Sequence, residues 1–412
     1  MIHRTIRGDM NALPDYQDAL DYALHCAKAL RRSECVPIDE AGGRILAEAI
    51  CADRDLPPFN RSAMDGYALR HADLAAGAAL PCCGQIAAGQ PGDCVVAPGN
   101  CIAIATGAPV PEELDIVIPH EQTDRGDRDG RPVEFEATDR ATGYAIHPRG
   151  ADARAGDTLV PSGTCIEADH IGLAAAVGCT TLQVACKPRV VLLTSGDEVV
   201  AAEAQPAAHQ IRNSNGPMLR SLAVRMGAQV IAHHHLDDEP DSVRAALDDA
   251  MQQADVVVTV GGISAGDRDF IPDQLAALGV APLVSGAAIQ PGKPVRIGHD
   301  GDGTFVVSLP GNPVSVLATA CLFLWPLLHR LTGETGGLPW RTVTLASPVR
   351  PNPKRSQFRP ATVDATGLAT VPSWSGSGDL VHASMTNGLL ALPRQEDPVP
   401  EGTRLEFLQW PR

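Results

Sequence analysis

A run of β-branched residues that breaks into glycines and ends among acids, D-V-V-V-T-V-G-G-I-S-A-G-D-R-D at 255–269, holds the densest chemistry of the sequence. Such a run predicts a buried parallel strand opening into a loop at its carboxyl end. Gly261, Gly262 and Gly266 let that loop turn tightly and leave its backbone N–H groups uncovered. Ser264 adds a hydroxyl, and Asp267 and Asp269 add two carboxylates on the far rim. Amide donors suit the oxygens of an anion and carboxylates suit Mg²⁺, so the loop fits a phosphate with its metal.

Four other segments carry related chemistry. T-S-G-D-E at 194–198 offers hydroxyls and the Gly196 N–H to an anion, with Asp197 and Glu198 for Mg²⁺ or a water. The same residues also read as the cap of a following helix. Lys293 sits in P-G-K-P, a loop stiffened by two prolines, where a cation meets an oxyanion with little loss of entropy; a solvated surface lysine is the ordinary alternative. In L-P-G-N-P-V-S at 309–315, Asn312 and Pro313 predict a helix N-terminus, an anion seat that tight strand-to-helix packing would explain equally well. P-P-F-N-R-S-A-M-D-G-Y at 57–67 and I-A-T-G-A-P-V-P at 104–111, with Asp115 and Glu121 nearby, form polar rims that match no derivable metal or nucleophile motif.

The elements that must position these loops follow from pattern. Residues 15–31 show helical spacing with Lys28, Arg31 and Arg32 at the end. From about 51 to 141 short segments divided by Gly and Pro predict a small β-rich domain, with the acidic run 124–130 as a hairpin or exposed loop. Residues 142–186 return to short strands and one helix at 167–177, which makes the β-rich piece an insertion into an N-terminal domain. From 188 to 331 strands at 189–194, 229–234, 255–260, 295–297 and 304–308 alternate with helices at 216–226, 242–253, 272–278 and 313–330. That alternation predicts a doubly wound αβα domain whose site lies at the carboxyl ends of its strands. Gly333 caps the last helix and residues 336–339 form a linker. Strands at 343–346, 357–363, 389–392 and 404–408 predict a C-terminal β domain. The fold class is thus multidomain α/β, with domains at 1–50 plus 142–187, 51–141, 188–332 and 333–412.

Composition narrows the function classes. With 33 basic and 49 acidic residues the net charge is −16 and no basic cluster stands out, which argues against nucleic acid as a partner. An anionic substrate must therefore be held by a locally positive pocket. No run approaches about 20 apolar residues, so no membrane span is expected, and no secretory signal is read at the amino terminus. Eleven cysteines without C-x-x-C spacing predict mostly buried thiols in a reducing cytosol. His233, His234 and His235 read as a strand edge in preference to a zinc site, because no second ligand cluster accompanies them.

Taken together, P-P-F-N-R-S-A-M-D-G-Y-A at 57–68, T-G-A-P-V-P at 106–111, S-G-D-E at 195–198, N-S-N at 213–215, G-G-I-S-A-G-D at 261–267, P-G-K-P at 291–294 and L-P-G-N-P-V-S at 309–315 resemble the molybdopterin molybdenumtransferase family, which includes bacterial MoeA and the E domain of gephyrin. The resemblance covers the chain from about residue 50 to 380. It implies four domains, a cytoplasmic homodimer with a site built from both subunits, and conversion of adenylylated molybdopterin and molybdate to molybdenum cofactor and AMP with Mg²⁺. It further implies the molybdopterin adenylyltransferase and acceptor molybdoenzymes as partners. By the same resemblance Asp65 and Thr106 handle substrate from the β-rich domain, facing the partner's sheet, and Glu198 and Asp269, with Asp267, position metal or water. Ser264, Lys293 and Pro310 line the oxyanion site, Gly261, Gly262, Gly266 and Asn312 join them in binding, and Arg359 and Ser377 reach over from the C-terminal domain. The chain departs from the family at Gln290, where Lys is frequent, at Asn213, where Asp is common, and at Asp267, where Glu is frequent. Losing a cation at 290 is expected to weaken molybdate binding.

Three rival readings remain at this point. A non-catalytic molybdopterin carrier would turn over only once Gln290→Lys had restored affinity. An interaction scaffold would fail to rescue cells lacking the transferase. A general Mg²⁺-dependent phosphohydrolase would cleave ordinary nucleotides without molybdate.

Overall fold

Consecutive apolar residues at 190–193 are all buried, which only a strand covered on both faces can achieve. The computed structural model, which describes residues 13–74, 79–136, 139–263 and 270–411, places this strand, Arg189–Ser195, inside a six-stranded sheet. The order runs Gln229–Leu236, Arg189–Ser195, Val256–Val260, Phe305–Leu309, Arg296–His299 and Ala281–Ser285. The first four are parallel, and Arg296–His299 runs antiparallel to both of its neighbours. The sequence reading missed the outermost strand, Ala281–Ser285, because Pro282 interrupts it; Pro is tolerated there since an edge strand leaves one row of N–H groups unpaired.

Alternate side chains divide the sheet between two cores. Val190, Leu192, Val256, Val258, Phe305 and Val307 face the helices Asn215–Arg225 and 313–332, whereas Val191, Leu193, Val257 and Val306 face Pro240–Gln253 and Ile271–Ala277. The helix Tyr16–His25, shorter than its apolar pattern suggested, lays Ala19 and Ala23 on the first of these cores. The histidine strand is indeed an edge of the sheet.

The 313–332 helix runs as Pro313–Thr319, a π-helical turn Ala320–Leu324, and Trp325–Thr332, ending at Gly333 in the left-handed region. Pro326 has no N–H to offer the carbonyl of Leu322 four residues back, and the Tyr16 hydroxyl donates to that carbonyl at 3.3 Å instead. Contrary to the composition-based expectation, Pro313–Thr332 is long and apolar enough, with mean hydropathy 1.6, to cross a membrane; 78% of its apolar window is buried inside the protein, so it reads as a core helix. The cysteines also depart from expectation. Only Cys101 and Cys321 are buried, while Cys26, Cys35, Cys51 and Cys83 are exposed.

Ahead of the central sheet, Ser33–Pro37 pairs with Thr181–Ala185, and Ile50–Cys51 pairs with Thr158–Val160, around a core of Leu46, Ile166, Leu182 and Val184. Between those pairs lies the four-stranded sheet Cys82–Ile86, Cys101–Ile104, Gly66–Leu69, Ile116–Pro119. The 124–130 segment holds the 3-10 turn Gly126–Asp129, and Asp127 accepts the hydroxyl of the buried Tyr67. At the carboxyl end, Ser356–Val363, Leu368–Thr370, Trp340–Leu345, Arg404–Gln409 and Gly388–Leu392 pair in a closed ring, a small barrel. Ile289–Gln290 adds to it in parallel beside Ser356 and Gln357.

Candidate active site

The turn before Gly66–Leu69 aims Asp65 at the loop that follows Cys101–Ile104. The exposed Asp65 carboxylate accepts from the Thr106 backbone N–H at 2.7 Å and its hydroxyl at 3.0 Å. Those two donors, with His120 nearby, hold its pKa below the usual carboxylate range. Gly66 is required where it stands, because a Cβ would lie 2.1 Å from the Ile118 carbonyl oxygen. Ser62 is spent inside its own turn, donating to the Met64 carbonyl at 2.7 Å.

Three strand ends of the central sheet converge. The Gly261 N–H donates to the Leu309 carbonyl at 3.3 Å, a Cβ on Gly261 would lie 3.1 Å from Ser195 Oγ, and a Cβ on Gly311 would lie 3.9 Å from Gly261 Cα. Gly261 and Gly262 both have positive φ, 93° and 63°, so the chain can turn out of Val256–Val260 without a side chain in the crevice. The N-S-N motif ties the loops together. Asn213 donates to Thr194 Oγ1 at 3.0 Å and accepts from the Gly216 N–H at 2.9 Å, while Asn215 donates to the Gly311 carbonyl at 2.8 Å. T-S-G-D-E caps no helix; it leads into the short strand Val199–Val200, and Glu198 stands exposed, its carboxylate 3.0 Å from where a Cβ on Gly196 would be.

The barrel closes the far side. Ser377 accepts from Asn312 Nδ2 at 3.0 Å and its carbonyl takes the Val314 N–H at 3.0 Å. Asn312 therefore occupies the N-cap position with its side chain turned outward, and one of the free amides of the helix N-terminus is already filled. Arg359 donates to the Pro372 carbonyl at 3.4 Å and lies 5.5 Å from the Trp374 ring. Burial lowers its pKa, and its Nε has no partner among the described residues. Pro310 is buried behind the loop, and Lys293 is exposed on its own. Ser264, Gly266, Asp267 and Asp269 lie outside the described residues.

Residues 15–178 match the model of the MoeA N-terminal region (domain I and II), 191–330 that of a probable molybdopterin binding domain, and 342–410 that of the MoeA C-terminal region (domain IV). A protein of Mycobacterium tuberculosis named molybdopterin molybdenumtransferase 2 is 34% identical over 388 residues, which cover 90% of this chain and 93% of that one. The chain belongs to the molybdopterin molybdenumtransferase family. A Synechocystis member is 31% identical over 380 residues, 90% of this chain and 94% of its own. The molybdopterin biosynthesis MoeA protein of Pyrococcus horikoshii OT3 superposes with a TM-score of 0.82 at 25% identity, over 97% of this chain and 100% of that one.

Within this family member the geometry sorts the sequence-derived residues into two groups. Glu198, Gly261, Gly262, Pro310, Asn312 and Ser377 gather at the carboxyl ends of the central sheet. Asp65 and Thr106 bond to each other, and no described hydrogen bond or ion pair joins them to that sheet. Two features escaped sequence reasoning. Gln290 accepts from Asn352 at 2.6 Å and Gln357 at 3.2 Å, and Trp374 packs over Arg359. Asn-Pro-Lys at 352–354 signals a turn, but its partner across the fold leaves no local trace. A 650 Å³ cavity lined by Ala27, His329, Glu334 and Leu338 lies at the opposite end of the long helix from these loops.

Proposed function

We propose that this chain is a molybdopterin molybdenumtransferase of molybdenum cofactor biosynthesis, which inserts molybdate into adenylylated molybdopterin and releases AMP. The observation that carries this reading is the convergence of loops 194–198, 261–263 and 309–312, tied by Asn213 and Asn215, in a chain 34% identical to a relative of that name. The crevice has bare amides and small residues, as an approach by phosphate oxygens requires. Lys293, Arg359 and Ser377 are the groups offered to molybdate. Asp65, kept ionised by Thr106, is offered to the substrate from the β-rich sheet.

The exposed Glu198, together with Asp267 and Asp269, has the hard oxygen donors that suit Mg²⁺. Bound there, Mg²⁺ would neutralise charge on the phosphoanhydride. Asp65 and Thr106 are exposed and bond to each other, not to the central loops, which supports a homodimer in which they meet the other copy's sheet. Cytoplasmic residence, supply by the molybdopterin adenylyltransferase and delivery to acceptor molybdoenzymes belong to the same reading.

The deciding experiment measures AMP release from adenylylated molybdopterin with and without molybdate. Release should depend on molybdate and should collapse in Glu198→Ala and Asp269→Ala; release at the same rate without molybdate overturns the reading.

A further inference from the structure

The four-stranded sheet and its connections carry Cys82, Cys83, Cys94 and Cys101, and the proposed reaction draws on none of them. Cys82 opens the edge strand Cys82–Ile86, and Cys101 opens its parallel neighbour Cys101–Ile104. The two are direct partners in register, and the Cys101 N–H donates to the Pro81 carbonyl at 3.0 Å. Neighbouring strands lie about 4.8 Å apart, inside the Cα separation that a disulfide spans. Both side chains fall on one face. Cys101 is fully buried in a cluster with Tyr67, Leu69, Leu80 and Ile116, and Cys82 packs against that cluster from its half-exposed position.

The two sulfurs differ in character. The Cys101 S–H donates toward Cys82, and it lies 3.7 Å from the Leu80 carbonyl and 3.8 Å from that of Pro81. That bond to Cys82, together with burial, pushes the Cys101 pKa up. Cys82 receives the donor, which holds its pKa down at about 6 against partial burial and the nearby Asp127 carboxylate. A thiolate that solvent reaches is the nucleophile toward peroxides, and a thiol held beside it resolves the product.

We propose that Cys82 and Cys101 are a peroxide-responsive modification site that closes a reversible disulfide between the edge strand and its neighbour. The Cys82 thiolate attacks one peroxide oxygen, the O–O bond breaks and hydroxide leaves, giving a sulfenic acid at Cys82. The Cys101 sulfur then attacks the Cys82 sulfur, the S–O bond breaks, and the hydroxyl leaves as water with the Cys101 proton. Two thiols are oxidised, and one peroxide is reduced to two waters. Burial of Cys101 fixes the order, since the oxidant reaches Cys82 first. A dithiol reductant reopens the link by exchange.

The test treats the reduced full-length chain with hydrogen peroxide and maps its peptides by mass under non-reducing conditions. A joined pair carrying Cys82 and Cys101, two hydrogens lighter than its reduced parts, should appear before oxidation at the exposed Cys26, Cys35, Cys51 and Cys83. Dithiothreitol should remove it. Its lead should widen as pH falls from about 8 to about 6.5, because a thiol of ordinary pKa loses its thiolate over that range. In Cys101→Ser the resolving thiol is gone, so Cys82 should accumulate as a sulfenic acid that dimedone labels. Cys82→Ser should leave Cys101 unmodified. The wild-type map decides the matter even where a serine variant fails to fold. Oxidation of the exposed thiols while Cys82 and Cys101 stay free overturns the proposal, and so does a link from Cys83 to Cys82 or Cys94 in its place.

Discussion

Asp65 is a carboxylate whose ionisation is set chiefly by one neighbour, Thr106. The Thr106 N–H and O–H both point at the same oxygen, and each bond favours the charged form. Thr106→Val keeps the backbone donor and removes the hydroxyl, so the Asp65 pKa should rise toward the ordinary carboxylate range. The acid limb of the pH–rate profile should then move to higher pH, with the plateau near neutrality little changed if ionisation is all the hydroxyl supplies. A profile whose acid limb stays in place while the whole curve drops would assign Thr106 to direct substrate contact. The same scale explains Gly66. Any side chain there meets the Ile118 carbonyl at 2.1 Å, so the glycine in this motif answers a packing demand between neighbouring strands.

At the scale of elements, the N-S-N segment is a strap between two strand-end loops. Asn213→Ala removes the donor to Thr194 and the acceptor for the Gly216 N–H, and should cost about 1–3 kcal/mol in urea unfolding as well as activity. Asn213→Asp should be tolerated, because the Thr194 hydroxyl can reverse its role and donate, while the carboxylate still accepts from Gly216. Equal losses in the two variants would mean that the amide itself is needed.

The pattern of the central sheet was legible in advance because strands buried on both faces leave unbroken apolar runs, as at 190–193 and 256–258. Ala281–Ser285 was not, since a proline at an edge looks like a turn. The helix at 15–31 was read too long because Lys28, Arg31 and Arg32 suit a helix end, while the chain leaves the helix at Cys26. Of the site, the loops were legible as motifs because glycines and prolines carry conformational meaning locally. The Gln290–Asn352 and Asn312–Ser377 contacts were not, because they join residues 62 and 65 positions apart. The cysteines misled for a different reason: an average preference for burial says little about thiols on short, half-exposed strands.

For the whole molecule, the barrel and the central sheet share more than a tether. Phe358, Leu389 and Leu408 belong to the same buried cluster as the central helices, and the Tyr16 ring meets Phe358 edge-on at 5.0 Å. Ile289–Gln290 is hydrogen-bonded into the barrel, and the Ser377 carbonyl holds the Val314 amide. The exposed Gly336 and Gly337 are thus a covalent link between parts already bonded to each other. A specific protease site placed between them should, once cut, give two bands under denaturing conditions and a single peak in native gel filtration, with molybdate binding retained. Fragments that drift apart would show that the link itself holds the pieces together. On this view the chain should survive being made as two co-expressed halves, each useless alone and reconstituted on mixing.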